Sequence, residues 1–208
     1  MIGATAWPID PAVLPGFLLA MALIELTPGP NMGYLAVIAA GRGRLAGVLS
    51  VVGVTVGLAV YLVLAVFGLT HGLTQSPVAM TALKWGGVVY LLVLAAEALR
   101  PTRGAVAIDG SAGRLMARGL VANLLNPKAL LFYGVLLPGF VRPGHAAVWA
   151  QLLILGSAHI VISIMVHLGI VLGAAGATAA WSGGRRRMLR YISAAGLAAV
   201  ALWLSLTG

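Results

Sequence analysis

The chain contains no cysteine, which excludes disulfides, thiolate metal sites and thiol redox chemistry. It is nearly as poor in acid, with only 4 Asp and Glu in 208 residues, and charged residues of all kinds make up 8%. Soluble domains average about 25% charged. From Leu45 to Leu83 and again from Pro143 to Gly184 there is no Asp, Glu, Lys or Arg. Each stretch exceeds the ~20 residues of one bilayer crossing and covers most of two. The start lacks a basic n-region and places Pro8, Asp10 and Pro11 before its apolar run, so it reads as an uncleaved first span. A Gly-rich phosphate loop and a Ser-His-Asp order are also missing.

What fills the chain is hydrocarbon. Hydrophobic residues make up 61%, too many for a protein of this size to hide from water. The continuous apolar runs predict helices rather than barrel strands, because backbone groups in lipid must be satisfied within each segment. Six spans are expected, at about Ala12–Ala40, Leu45–Leu69, Val78–Leu99, Gly119–Val141, Ala146–Ala174 and Met188–Leu206. The expected fold is therefore an all-α polytopic membrane protein, a single transmembrane domain over residues 1–208.

The net charge of +9 comes in short arginine clusters without interleaved aromatics, which argues for lipid headgroups and against nucleic acid. Arg42, Arg44, Arg100, Arg103, Arg114, Arg118, Arg185, Arg186, Arg187 and Arg190 fall on the first, third and fifth connections. Lys84 and Arg142 alone lie on the other side. The positive-inside rule makes the arginine-rich side cytoplasmic and places both termini outside.

Two spans are interrupted. In "IELTPGPNMGY", residues 24–34, Pro28 and Pro30 withhold donors from the carbonyls of Ile24 and Leu26. The half-helix beyond the break turns unpaired N–H groups back toward the gap. In "VANLLNPKALLFYG", Pro127 withholds a donor from Asn123, and Lys128 follows. Tyr34 and Tyr133 each lie six residues after Pro28 and Pro127. Three spans separate the breaks, so residues 12–99 and 119–208 read as two inverted three-helix repeats around a cytoplasmic loop at 100–118. Matched interruptions are the best sequence pointer to a carrier's central site. A packing kink is the plain alternative, since neighbouring helices can satisfy freed groups.

Glu25 lies ~20 Å into its span, near mid-bilayer, where a charge needs a cavity or a partner. A neutral, hydrogen-bonded structural Glu is the other reading. Lys128 either faces the same gap or snorkels to the interface. Glu97 and Arg100 read as an interfacial i, i+3 pair. His159, Ser163 and His167 step by four and form one stripe, able to line a water path and exchange protons or to pack between helices. Gly53-x-x-x-Gly57 and Gly169-x-x-x-Gly173 each permit close helix approach. A zwitterion suits a gap with an acceptor end and a donor end. The expected solute site is Glu25, Thr27, Pro28, Gly29, Pro30, Asn31 and Met32, closed by Asn126, Pro127 and Lys128. Glu25, His159 and His167 are the proton-coupling candidates. No metal or cofactor is called for.

"TPGPNM", "GVTVG", "LKWGGVVYLLVLAAEALR" and "GLVANLLNPKALLFYGVLLPGF" resemble the RhtB branch of the LysE family of amino acid exporters, over about residues 12–142. Pro28, Gly29, Pro30 and Asn31 match its first motif, and Asn126, Pro127 and Lys128 its second. The resemblance implies a six-span carrier of the bacterial inner membrane that exports amino acids or close derivatives by proton antiport, often as a homodimer. Two departures stand out. Several relatives carry Asp where this chain has Leu58, and Glu25 is not an acidic position of the family. The alternatives are export of a metal cation or amine, a non-transporting accessory protein, and a membrane-embedded enzyme on a lipid or quinone, for which clustered ligands are absent.

Overall fold

The computed structural model describes residues 7–26, 29–99, 111–178 and 184–206, and every regular element among them is helical. The chain enters through a 3-10 turn, Pro11–Val13, capped by the Asp10 carboxylate, which accepts from the N–H of Ala12 at 2.9 Å. Helix α1 (Leu14–Leu26) leads to the first break, and α2 (Pro30–Arg42) starts beyond it with Pro30 at its first position, where a missing N–H costs nothing. Gly43, at φ 85°, reverses the chain into α3 (Arg44–Val66). A side chain with a β-carbon would be strained in that left-handed conformation.

The connection between the spans expected at Leu45–Leu69 and Val78–Leu99 is partly helical. The second span ends at Val66, Gly68 turns at φ 73°, and a short helix α4 (Leu69–Thr74) follows. It is fastened by Thr70, whose hydroxyl donates to the carbonyl of Tyr133 at 3.4 Å. Helix α5 runs over Pro77–Leu99. Helix α6 (Ala112–Leu124) begins seven residues before Gly119, inside the stretch assigned to the cytoplasmic loop. Its first turns are amphipathic, with Leu115 and Gly119 buried and Arg114 exposed, and a loop reading based on arginine alone misses that. After the second break come α7 (Pro127–Leu131), a π-helical turn (Phe132–Leu136) and a 3-10 turn (Leu137–Phe140). Helices α8 (Val148–Thr178) and α9 (Gly184–Leu206) complete the fold.

Three helices among the described residues are long and apolar enough to cross a bilayer: Arg44–Val66, Pro77–Ala96 and Val148–Thr178. The two interrupted pairs, bent by 53° and 58°, raise the number of candidate spans to five. Leu18, Val63, Val89, Met165 and Leu202 are each more than half exposed, on five different helices. Soluble monomers rarely show apolar surface that extensive, whereas lipid takes it without cost.

Helices α3 and α6 touch backbone to backbone. A β-carbon on Gly53 would collide with the carbonyl oxygen of Met116, and one on Gly119 with that of Ser50. Gly57 leaves room for Asn123 in the same way. Gly53→Val therefore forces the two helices apart. Overpacking of this kind costs about 1–3 kcal/mol or more, so the variant should lose several degrees of Tm in detergent or fail to accumulate as a monodisperse species. Gel filtration with a thermal ramp checks this. The second glycine pair behaves otherwise. Gly169 and Gly173 have nothing within reach of an added β-carbon, so the expectation of close packing there does not hold. The glycine that brings α8 close to a neighbour is Gly156, against Leu62 of α3, and Gly47 of α3 meets Val171 of α8.

Two buried apolar clusters form the core. One includes Tyr34, Leu35, Val54, Leu91, Val171 and Leu197. The other includes Phe17, Met21, Leu62, Phe132, Tyr133 and Leu155. The N-terminal half of α3 belongs to the first cluster and its C-terminal half to the second, and α8 is divided the opposite way. The two long helices thus run past each other, and the polar residues of α8, from His159 to His167, sit where the clusters divide.

Candidate functional site

Glu25 is the penultimate residue of α1 and is 6% exposed. Its Oε1 lies 3.1 Å from Nε2 of His159, itself 2% exposed on α8. Nδ1 of His159 lies 3.0 Å from the hydroxyl of Tyr133. An ionised carboxylate only accepts, so Nε2–H donates to Glu25 and the Tyr133 O–H donates to Nδ1. Adding a proton to the imidazole reverses the second bond and turns the first into an ion pair. Tyr133, His159 and Glu25 thus form one hydrogen-bonded line. Phe132 stacks on the His159 ring at 3.8 Å between centroids and sets its plane. The π-helical turn brings two consecutive aromatic residues, Phe132 and Tyr133, to one imidazole.

The second break is built differently from the sequence expectation. The carbonyl of Asn123 is not free, because the N–H of Asn126 reaches it at 2.9 Å in a tightened last turn. The next carbonyl, that of Leu124, accepts from the hydroxyl of Tyr61 at 2.7 Å. Across the break the Asn126 side chain accepts from the N–H of Lys128 at 3.1 Å and caps α7. Asn-Pro-Lys is therefore a cap, a first-turn proline and a cation at a helix N-terminus. A cation there is opposed by the helix dipole and requires negative charge nearby. Glu25 lines the same cavity as Lys128.

The two breaks meet. An ideal β-carbon on Gly29 would lie 3.5 Å from Cδ and 3.8 Å from Nζ of Lys128. Between them is a cavity of about 30 Å³ lined from α1 and α2 by Glu25, Gly29, Asn31 and Met32, and from beyond the second break by Asn126 and Lys128. His159, Ser163 and His167 line it from α8. The Ser163 hydroxyl and Nδ1 of His167 are 3.4 Å apart. Asn31 Oδ1 is buried with no hydrogen-bond partner. A buried acceptor in that condition costs about 1–3 kcal/mol until a donor arrives. The volume holds one or two water molecules, so the cavity must widen to admit anything larger.

A family model described as LysE type translocator matches residues 22–208. The chain belongs to the LysE-type translocator family. A homoserine/homoserine lactone efflux protein of Salmonella typhimurium is 34% identical over 179 residues, covering 83% of this chain and 84% of the relative. A leucine efflux protein of Salmonella choleraesuis is 34% identical over 122 residues, covering 56% and 58%. An uncharacterized membrane protein of Vibrio cholerae is 29% identical over 157 residues, covering 74% and 76%. No solved structure matches this LysE-type translocator.

Of the residues expected from the sequence of this translocator, Glu25, Gly29, Asn31, Met32, Asn126, Lys128, His159 and His167 face one cavity. Pro30 and Pro127 start their helices and are not among its lining. Thr27 and Pro28 lie outside the described residues, as does the pairing of Glu97 with Arg100. Lys128 lies beside Gly29 and lines the cavity, the arrangement that the first of the two readings expects. Glu25 and the histidine stripe, read as alternatives, meet at His159, which bonds to Glu25, while His167 pairs separately with Ser163. Sequence reasoning left Tyr133 and Phe132 without a role, although Tyr133 had been marked by its matched spacing with Tyr34.

Proposed function

We propose that this LysE-type translocator exports amino acids or closely related zwitterions across the bacterial inner membrane, driven by proton antiport. One observation carries the reading: a carboxylate, an ammonium group and an unpartnered amide oxygen face a single cavity where two interrupted helices meet. The solute ammonium takes Glu25 and Asn31 Oδ1, and its carboxylate takes Lys128 and the N-terminus of α2, whose N-cap residue is Gly29. In the compact site His159 occupies Glu25. The incoming ammonium and the protonated imidazole compete for one carboxylate, and that competition is the coupling. The names of the efflux relatives agree with this class of solute.

The same proposal includes six spans, with α9 as the sixth, in two inverted repeats. Two sets of contacts support the repeats. Gly47 packs on Val171 and Gly156 on Leu62, and within its own helix each glycine stands fifteen residues before the other's partner. In that register Ser50 corresponds to His159. Tyr34 bonds to Ser50 at 3.1 Å, just as Tyr133 bonds to His159. Alternating access then amounts to one repeat rocking against the other around the breaks. The orientation with both termini outside is supported at each end. Thr178 donates to the carbonyl of Ala40 at 3.1 Å, which brings the end of α8 beside Arg42 and Arg44. At the opposite end the N–H of Ala146 donates to the carbonyl of Pro8 at 3.2 Å. Homodimeric assembly enters on the family resemblance alone.

Counterflow tests the reading. Proteoliposomes loaded with unlabelled leucine or homoserine should accumulate the labelled form transiently, and an imposed pH gradient should drive net uphill movement. Vesicles that show neither with any amino acid would remove the proposal.

A further inference from the structure

The cavity has two unlike walls. Along α8 it is polar, with His159, Ser163 and His167. Helix α3 contributes Leu58 alone, 3% exposed and part of the apolar cluster that holds Phe132 and Leu62. In the register fixed by the reciprocal glycine contacts, Leu58 corresponds to His167, Val54 to Ser163 and Ser50 to His159. Of these matched pairs only Leu58 and His167 both line the cavity, one apolar and the other polar. Ile24, Met32 and Ala129 extend the apolar side, while the Phe132 ring is engaged by His159.

We infer that Leu58 is the specificity-determining residue of the site, forming with Ile24, Met32 and Ala129 the wall against which the solute side chain lies, so that the solutes are neutral amino acids with aliphatic side chains. The inference rests on the exporter reading, which fixes where the solute's two charged groups go. Once these are on Glu25, Asn31 and Lys128, the side of the cavity away from α8 is left for the side chain, and there Ile24, Met32, Leu58 and Ala129 present hydrocarbon. Glu25 is the only carboxylate lining the cavity among the described residues. A basic side chain would thus meet Lys128 and two histidines with no second counter-charge. An acidic one would compete with the solute's own carboxylate for Lys128. Both are rejected for lack of a partner, the strongest form of discrimination a buried site has.

Size is set at the same place. A single methylene in an apolar pocket changes selectivity by roughly 10–200-fold. Leu58→Ala opens the wall and should raise counterflow of phenylalanine relative to leucine at least tenfold. Leu58→Phe fills it and should lower leucine relative to alanine by a similar factor. The test measures competition by unlabelled alanine, leucine, phenylalanine, lysine and glutamate against labelled leucine in proteoliposomes, for the wild type and both variants. Because the two substitutions act in opposite directions, either one that yields folded protein is informative. A wild type that carries leucine but gives the same rank order in the variants overturns the role of Leu58. A wild type that carries lysine or glutamate as well as leucine overturns the neutral aliphatic class. A wild type with no counterflow of any amino acid overturns the exporter reading instead.

Discussion

Glu25→Gln should reduce export driven by a pH gradient by ~100-fold or more and flatten its pH dependence, while leaving the protein folded. Glutamine keeps the shape and still accepts from Nε2 of His159, now 3.1 Å from Oε1 of Glu25, so the packing of α1 against α8 has no reason to fail. What disappears is the charge. The imidazolium form of His159 loses its counter-ion, and the solute ammonium loses its carboxylate. Truncating one member of a buried charged pair typically costs about 2–5 kcal/mol, and each 1.4 kcal/mol is about tenfold. The two losses fall on the two competing occupants, so the exchange that couples them has nothing left to act on. The measurement is uphill flux in liposomes with an imposed pH gradient, alongside Tm and gel filtration of the same preparation. Wild-type uphill flux in a folded Glu25→Gln protein would remove Glu25 from the mechanism. Replacing Tyr133 with Phe makes a useful contrast, because it removes a hydroxyl 3.0 Å behind the imidazole while leaving the carboxylate in place.

The membrane class and the approximate places of the long apolar helices could be read directly, because a bilayer imposes its thickness on hydrophobic runs and 8% charge leaves few alternatives. The paired breaks were legible for a similar reason: proline removes a donor wherever it stands. What proline does not reveal is who replaces the donor. The carbonyl of Asn123 is taken by the N–H of Asn126 and that of Leu124 by Tyr61, and only packing decides such substitutions. Spacing was equally silent about partners. Gly53 and Gly57 have the same interval as Gly169 and Gly173, yet one pair faces a neighbouring helix and the other faces open space. The union of Glu25 with His159 spans 134 positions, and no local pattern indicates which turn of α8 comes to rest beside the first break. Leu58 was visible only as a departure from relatives that carry Asp there, and nothing in its neighbours says that it lines the cavity.

Lys128→Met tests the other half of the site, and the informative form of the experiment changes the solute as well as the protein. Lys128 stands at the N-terminus of α7 with its Nζ 3.8 Å from the position of a β-carbon on Gly29. It either holds the solute carboxylate or serves only as a counter-ion to Glu25. Methionine keeps the length of the side chain and removes the charge. A charge-assisted hydrogen bond of this kind contributes about 1.5–3 kcal/mol, so leucine transport should weaken roughly ten- to a hundredfold. Leucinamide, which has the ammonium but no carboxylate, should already be carried at least tenfold less well than leucine by the wild type. If carboxylate and ammonium meet, removing both costs little more than removing either, and the Lys128→Met protein should barely distinguish the two solutes. Non-additivity of this type is the signature of direct contact. A mere counter-ion role predicts the reverse: both solutes weaken by the same factor and the preference for leucine survives. Retention of the wild-type preference in a folded variant would take Lys128 out of the solute site and leave the carboxylate to the N-terminal N–H groups of α2 alone.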